Sequence, residues 1–117
     1  MGNPVIAWQM VTKNPEAVSK FYTSVFDWKV NSDNAMSVRM IDTASGKGIN
    51  GGIWPAPPEV HSFVQLFIEV DDMAKYVQKA TVAGAKILIP PQKLPDGGEM
   101  AILHDPDGMS FGLHKVK

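Results

Sequence analysis

The predicted order of strands and helices occurs twice in this chain, and this repeat restricts the possible folds more than any other feature. Residues 11–30 align with residues 68–87 without a gap, at an offset of 57. The identical pairs are Ala17 with Ala74, Val25 with Val82 and Lys29 with Lys86. Three identities are weak evidence, but the shared order of strand, cap, helix, stop and strand predicts two βαβββ modules of similar length.

The first module begins with a predicted strand at Val5–Thr12, which is rich in β-branched and aromatic residues. A helix follows, with Asn14 as its predicted cap and Pro15 at its first position. Apolar residues recur at spacings of three and four up to Phe26 and predict one apolar helix face, with Trp8 packed beneath the helix. Further strands are predicted at 28–30, 36–42 and 49–54.

A proline-rich stretch at 55–59 favours a stiff, extended connection between the modules. The pattern of the first module then returns. The predicted elements are a strand at 62–70, a helix capped by Asp71 and Asp72 and stopped by Gly84, and a strand at 86–89 that Pro90 and Pro91 end.

A hairpin closes the second module, because two apolar segments between Ala101 and Leu113 flank a turn of suitable composition. Pro106 sets φ at the first central position of the turn, and Asp105 can accept hydrogen bonds from nearby backbone amides. Gly108 supplies the positive φ with which the second strand leaves the turn.

Composition excludes several classes of protein. The 117 residues have the length of one domain, with 44% apolar and 20% charged residues and a net charge of −1. The cations are scattered, so we expect no nucleic-acid partner, and no apolar run is long enough for a membrane span. The chain has no cysteine, which excludes thiolate nucleophiles and disulfides. No signal peptide is visible at the N-terminus, so we expect a cytoplasmic location.

Several motifs, taken together and in order, resemble the glyoxalase, bleomycin-resistance and extradiol-dioxygenase superfamily, also called the vicinal oxygen chelate family. They are Asn14-Pro15-Glu16-Ala17, Phe21-Tyr22, Val25-Phe26-Asp27-Trp28, Val70-Asp71-Asp72, Gly84-Ala85-Lys86-Ile87 and Asp105-Pro106-Asp107-Gly108. The resemblance implies an α+β fold in which two βαβββ modules form an open, cup-shaped curved mixed sheet with helices packed outside. It also implies one domain over 1–117, with modules at about 4–54 and 60–117, and a homodimer.

The metal ligands that the resemblance implies are missing from this sequence. The family's ligand positions fall on Ala7, Gln65 and Gly112 and around residues 51–53. Divalent metals need imidazole or carboxylate donors, so we predict no metal and no cofactor. An unusual ligand set of His61, Glu69 and His114 stays open as an alternative.

The candidate substrate-binding residues are polar side chains among apolar ones. Gln9, Gln65 and Ser110 are predicted to face the cup together with Trp54, Phe67 and Val11. This composition is typical of an apolar pocket with a few orienting hydrogen bonds. The alternative is that the two glutamines satisfy each other's hydrogen bonds in a partly collapsed cup.

Four functions remain open at this point. The first is a metal-free protein that binds a small apolar or aromatic compound, and the second is a divalent-metal-dependent lyase, isomerase or dioxygenase. The third is a subunit domain with a vestigial cup. The fourth is a metal-independent enzyme that uses a carboxylate such as Glu69 or Glu99. Catalytic residues are not identified, because function resides in the site and not in the fold.

Overall fold

The computed structural model of the protein describes residues 2–32 and 38–117, which contain two helices and eight strands. The predicted element order occurs twice, so the α+β class and the two βαβββ modules are confirmed. The first module consists of β1 (Val5–Thr12), α1 (Pro15–Phe26), β2 (Lys29–Asn31), β3 (Arg39–Asp42) and β4 (Gly51–Pro55). The second consists of β5 (Phe63–Glu69), α2 (Met73–Val82), β6 (Lys86–Lys93), β7 (Glu99–His104) and β8 (Ser110–Lys115).

The chain divides into two compact units, one of which is Ala7–Val64. Its strands follow the order β2-β3-β4-β1, with β1 parallel to β4 and the other neighbours antiparallel. The Trp8 ring lies 5.4 Å from that of Trp28, which stacks on Tyr22 of α1 at 5.5 Å. The prediction that Trp8 packs beneath the helix is therefore confirmed.

Gly51 is required by the close approach of β4 to Trp8. The two residues are register partners, and a Cβ at position 51 would collide with the indole ring and the carbonyl oxygen of Trp8. Only glycine avoids this overlap, so the glycine in β4 leaves room for the indole ring beside the strand.

The other compact unit comprises the first six residues and Gln65–Lys117. Its strands follow the order β5-β8-β7-β6, with β5 parallel to β8 and the rest antiparallel. Helix α2 covers one face, where a cluster of apolar side chains is buried. Its members are Val70, Met73, Ala101, Leu103 and Leu113. The N-terminal segment is tied to the end of β5, since the Glu69 amide donates to the Pro4 carbonyl at 3.0 Å.

The closing hairpin of β7 and β8 has the predicted turn chemistry. Asp105 Oδ1 accepts hydrogen bonds from the Asp107 and Met109 amides, both at 2.9 Å. Gly108 has a φ of 89°, and its amide donates to the Asp105 carbonyl at 2.9 Å. The hairpin prediction is confirmed.

The predicted end of β6 is wrong, because the strand continues through Pro90 and Pro91 to Lys93. β6 is the last strand in the order of its unit, and its pairing with β7 shifts register between Ile87 and Ile89 and between Ile89 and Gln92. Proline has a fixed φ and no N–H for the ladder, so it is tolerated in an edge strand or where the ladder is already irregular.

Other predicted strand boundaries differ by one or two residues. The strand predicted at 28–30 is β2 at 29–31, and the one predicted at 49–54 is β4 at 51–55. Of the strand predicted at 36–42, residues 39–42 form β3, whereas residues 36 and 37 lie outside the described residues. Local composition predicts where a strand lies more accurately than it predicts the residues at which the strand begins and ends.

The gapless alignment of the two modules, at an offset of 57, pairs the predicted cap Asn14 with Asp71, and this correspondence is wrong by one residue. Helix α2 begins at Met73 and its N-cap is Asp72, so Asn14 corresponds to Asp72 and not to Asp71. The backbone of Asp72 is extended, with φ −144° and ψ 102°, and its carboxylate accepts a hydrogen bond from the Lys75 amide at 3.1 Å. Asn14 makes no such side-chain bond.

Candidate functional site

The predicted site residues of the second module share the sheet face that turns away from α2. Side chains alternate along a strand, so Gln65 and Phe67 lie on the face opposite Ile68, which packs against the α2 cluster. The register of β5 with β8 pairs Phe67 with Gly112. Ser110 lies two residues from Gly112 and therefore on the same face. The structure thus brings Gln65, Phe67 and Ser110 together.

A short hydrogen bond joins two of these residues. The Ser110 hydroxyl donates to Gln65 Oε1 at 2.6 Å. Gln65 is only 4% exposed, whereas Ser110 is half-buried and can be reached from solvent. Buried amides are stable only when hydrogen-bonded, so this bond holds the Gln65 side chain in one orientation.

The Phe67 ring covers Gly112. A Cβ at position 112 would collide with the ring, so the absence of a side chain there lets the ring lie against β8. The ring also stacks on His114, with centroids 5.9 Å apart and planes inclined by 29°. Ile102, the register partner of Gly112 on β7, is buried beside them. Around Gly112 this face is therefore apolar and aromatic.

Sequence analysis did not assign His104, Met100 and Ile102 to the pocket, and it named His114 only as an alternative metal ligand. Register pairs His104 with Ser110 and Met100 with His114, so all four side chains share the face of Phe67. His114 lies inside β8, and its Nδ1 atom is buried with no hydrogen-bond partner among the described residues. The alternation along β7 and β8 was the signal that could have identified them.

The first module has a corresponding face turned away from α1. Gln9 pairs with Gly52 and Val11 with Trp54 across β1 and β4, and side chains at these positions lie opposite Trp8. Gln9 is 4% exposed and Trp54 is half-buried. The structure therefore brings Gln9, Val11 and Trp54 together around Gly52, in the predicted combination.

The residues at the ligand positions that the resemblance implies carry no imidazole or carboxylate. Gln65 offers a neutral amide that already accepts a hydrogen bond from Ser110, and at Gly112 the Phe67 ring occupies the volume of a side chain. Ala7 has only a methyl group. In the part of the chain that the structure describes, no three His, Asp or Glu side chains are grouped so that they could hold a metal. Carboxylate and imidazole donors at one point are what a divalent cation requires.

A helix that could cross a membrane does not occur among residues 2–32 and 38–117.

Comparison with known proteins agrees with the fold and the motifs. The family model described as the Glyoxalase/Bleomycin resistance protein/Dioxygenase superfamily matches residues 5–113. The chain is 31% identical over 110 residues to CFP32 of Mycobacterium bovis and of Mycobacterium tuberculosis, proteins named as candidate glyoxylases. The match covers 87% of this chain but only 41% of those relatives, so the chain spans about two fifths of their length.

Solved structures of low sequence identity share the fold. The protein BH1468 of Bacillus halodurans aligns over 100% of this chain and 96% of its own, with a TM-score of 0.71 and 14% identity. Methylmalonyl-CoA epimerase of Mycobacterium tuberculosis aligns over 97% of this chain and 87% of its own, with a TM-score of 0.68 and 10% identity. From its match over residues 5–113, the chain belongs to the glyoxalase, bleomycin-resistance protein and dioxygenase superfamily.

Proposed function

We propose that this protein binds a small apolar or aromatic compound without the help of a metal ion. The observation that carries the proposal is the packing of the Phe67 ring over Gly112 beside the Gln65–Ser110 hydrogen bond. Of the positions that the resemblance implies for metal ligands, Gln65 presents a neutral amide and Gly112 lies against the Phe67 ring. A mostly apolar lining with a few oriented polar groups is typical of small-molecule sites.

The accessible polar groups define how a ligand would be held. Ser110, His104 and His114 are half-buried, whereas Gln65 and Phe67 are only 4% and 8% exposed. A ligand would reach the half-buried groups first and contact Phe67 by displacing side chains. We propose that Gln65 and Ser110 orient the ligand by hydrogen bonds, with Phe67 supplying apolar contact. On the face of the first module, Gln9 and Trp54 are proposed to act in the same way.

A metal-dependent lyase, isomerase or dioxygenase is the alternative. It is favoured by the similarity to relatives named as candidate glyoxylases and to the fold of an epimerase. The donor set described above argues against it, because neither Gln65 nor Gly112 can supply a charged ligand atom.

A further candidate function is that of a subunit domain in which side chains of the protein itself fill this sheet face. The burial of the site residues favours it. Met100, Ile102 and Phe67 are each less than 9% exposed, which is typical of packed core residues. Under this hypothesis the Gln65–Ser110 bond satisfies two polar groups and orients no ligand.

The test is a binding measurement with defined probes. The protein is titrated with 1-naphthol, benzyl alcohol and benzoate, and binding is followed by ligand-observed NMR and calorimetry. We expect at least one aromatic probe to bind, and we expect Gln65→Ala to weaken it by about 2-fold to 10-fold, the equivalent of one net hydrogen bond.

The matched control is Gln78→Ala, which removes the same side chain from an exposed position on α2. This variant should bind the probe as the native protein does. If no probe binds, or if Gln65→Ala binds as tightly as the native protein, the proposed site is wrong and the subunit hypothesis takes its place.

We further propose that the protein is a homodimer and acts in the cytoplasm. The homodimer follows from the family resemblance. Light scattering on the eluted protein tests it, and a mass near one 12.8 kDa chain at submillimolar concentration would contradict it.

A further inference from the structure

The imidazole ring of His114 carries a buried polar atom on the sheet face of Phe67. Among residues 2–32 and 38–117, Nδ1 of His114 is the only buried side-chain nitrogen or oxygen without a hydrogen-bond partner. Such atoms are rare in folded proteins, because a buried polar atom loses its hydrogen bonds to water and gains none in return. A hydrogen-bonding group supplied from outside the chain would remove this cost.

The two nitrogens of the His114 ring have different surroundings. Nε2 forms no hydrogen bond with a described residue either, but it is not buried and therefore keeps contact with solvent. A neutral imidazole has one N–H donor and one acceptor nitrogen. With the proton on Nε2, water accepts it, and only a lone pair is buried at Nδ1. Buried N–H groups without a partner are rarer than unpaired acceptors, so Nδ1 is assigned the acceptor role.

The neighbours of His114 favour a neutral donor over an anion at this point. Glu69 on β5 and Met100 on β7 are its register partners, so their side chains lie on the same sheet face. Glu69 is half-buried, and its carboxylate can only accept hydrogen bonds. Lys115 alternates to the opposite face, where it lies 4.0 Å from Glu99. An anionic ligand group beside Nδ1 would therefore be repelled by Glu69, whereas an O–H or N–H group would find an acceptor.

Phe67 lies between His114 and the hydrogen-bonded pair of Gln65 and Ser110. Phe67 is two residues from Gln65 along β5, and its partner Gly112 is two residues from His114 along β8, which is about 7 Å in each direction. The imidazole forms no hydrogen bond with any described residue, so it can turn away from the Phe67 ring without breaking one. An aromatic compound on Phe67 would then place a substituent at Nδ1.

We propose that the ligand of this face is a neutral aromatic compound with a hydroxyl group, and that Nδ1 of His114 accepts the hydrogen bond of this hydroxyl. The inference rests on the proposed function and names the chemical class of its ligand. It also distinguishes among the probes suggested above. 1-Naphthol has the aromatic body and the donor, whereas benzoate has a charge that Glu69 repels.

A matched pair of ligands tests the hydroxyl contact. 1-Naphthol and 1-methylnaphthalene differ by a hydroxyl in place of a methyl group of similar size, and both are titrated at about pH 8, where free imidazole is neutral. The affinity ratio is the affinity for 1-naphthol divided by that for 1-methylnaphthalene. His114→Phe keeps an aromatic ring but removes Nδ1, so it should lower this ratio by about 2-fold to 10-fold, the equivalent of one net hydrogen bond.

The matched control is His104→Phe, which makes the same replacement at another half-buried histidine of this face. It should keep the affinity ratio of the native protein, because His104 is the register partner of Ser110 and lies away from Nδ1 of His114. If both variants lower the ratio equally, or if His114→Phe leaves it unchanged, the inference is overturned. Circular dichroism confirms that both variants are folded.

Nitrogen NMR of the native protein gives a test that needs no variant. Long-range correlations between ring protons and ring nitrogens distinguish the two tautomers, and His114 should carry its proton on Nε2. Addition of 1-naphthol should shift the Nδ1 signal, and 1-methylnaphthalene should shift it far less. A proton on Nδ1 in the free protein, or an Nδ1 signal that responds equally to both compounds, would contradict the proposed contact.

The outcomes separate this inference from the proposed function. If no aromatic probe binds, both are wrong. If 1-naphthol binds and Gln65→Ala weakens it, while His114→Phe leaves the affinity ratio unchanged, the binding site stands and only the assignment of the ligand class is overturned. Tighter binding of 1-naphthoate than of 1-naphthol to the native protein would also overturn that assignment, since it would show that the face prefers an anion.

Discussion

At the scale of single residues, the most specific feature of the site is the packing of the Phe67 ring against Gly112, between β5 and β8. The ring lies where a side chain at position 112 would begin, and it is also stacked on His114. Any residue larger than glycine must therefore move a buried ring.

We predict that Gly112→Ala destabilises the protein by about 1–3 kcal/mol, the usual cost of overpacking a buried site. The midpoint and slope of urea unfolding measure it. Gly52→Ala is the control, because its Cβ would meet its nearest neighbours at 3.5 Å, an ordinary contact distance. Phe67→Leu should recover part of the stability lost by Gly112→Ala, and equal losses in the two alanine variants would contradict the steric explanation.

The sequence allowed part of this site to be predicted at the residue scale. Alternation along β5 placed Gln65 and Phe67 on one face, and the spacing from the turn placed Gly112 with Ser110. The Gln65–Ser110 bond and the stacking of Phe67 on His114 were not predictable. Both depend on the register between two strands that are far apart in the sequence but neighbours in the sheet.

At the scale of elements, the two helices differ in how their N-termini are capped. Asp72 Oδ1 accepts the Lys75 amide at 3.1 Å, whereas Asn14 has φ −122° and ψ 64° and makes no side-chain cap bond. Instead, the backbone amide of Asn14 donates a hydrogen bond to Thr12 Oγ1 at 3.1 Å. Residues of equally favourable type therefore play different roles.

We predict that Asp72→Ala costs about 1 kcal/mol of stability, the typical value of an N-cap bond. Asn14→Ala should cost less, because no side-chain cap bond is lost. Thermal unfolding at fixed protein concentration measures both variants. A loss in Asn14→Ala as large as that in Asp72→Ala would show that the cap geometry does not control helix stability here.

The strand β6 shows why element boundaries are less predictable than element types. Pro90 and Pro91 normally end a strand, yet β6 passes through them within its second register shift, between Ile89 and Gln92. Whether a missing N–H matters depends on the partner strand at that position, and the local sequence contains no information about it.

At the scale of the whole molecule, the central question is whether a metal ion contributes to stability. Ala7, Gln65 and Gly112 replace the ligands that the family resemblance implies, so we predict no effect of Ni²⁺, Zn²⁺, Mn²⁺ or Fe²⁺ on the melting temperature. A metal that binds only the folded state, present at a concentration about a hundred times its Kd, would add about 2.7 kcal/mol to the free energy of unfolding, and this is easily detected.

The measurement is differential scanning calorimetry with excess metal, together with elemental analysis of the purified protein. Protein concentration must be constant, because self-association also shifts the melting temperature. Protein treated with EDTA is the control. A stoichiometric metal with a clear shift would contradict the metal-free proposal and point to the alternative ligands His61, Glu69 and His114.

The sequence by itself determined the class of fold, the repeat of βαβββ modules, the closing turn and the family. These features depend on local patterns, such as the period of apolar residues and the φ preferences of Pro106 and Gly108. Such patterns act over a few residues and can be read from one chain.

Only the tertiary structure decided which side chains meet. The pairing of β5 with β8 places Phe67 on Gly112 and Gln65 beside Ser110, although about 45 residues separate them in the chain. The same is true of helix α1, since its amphipathic pattern does not reveal which of its apolar side chains are covered and which stay exposed, as Phe21 and Val25 do. Burial and strand register are properties of the folded chain as a whole, and no local preference specifies them.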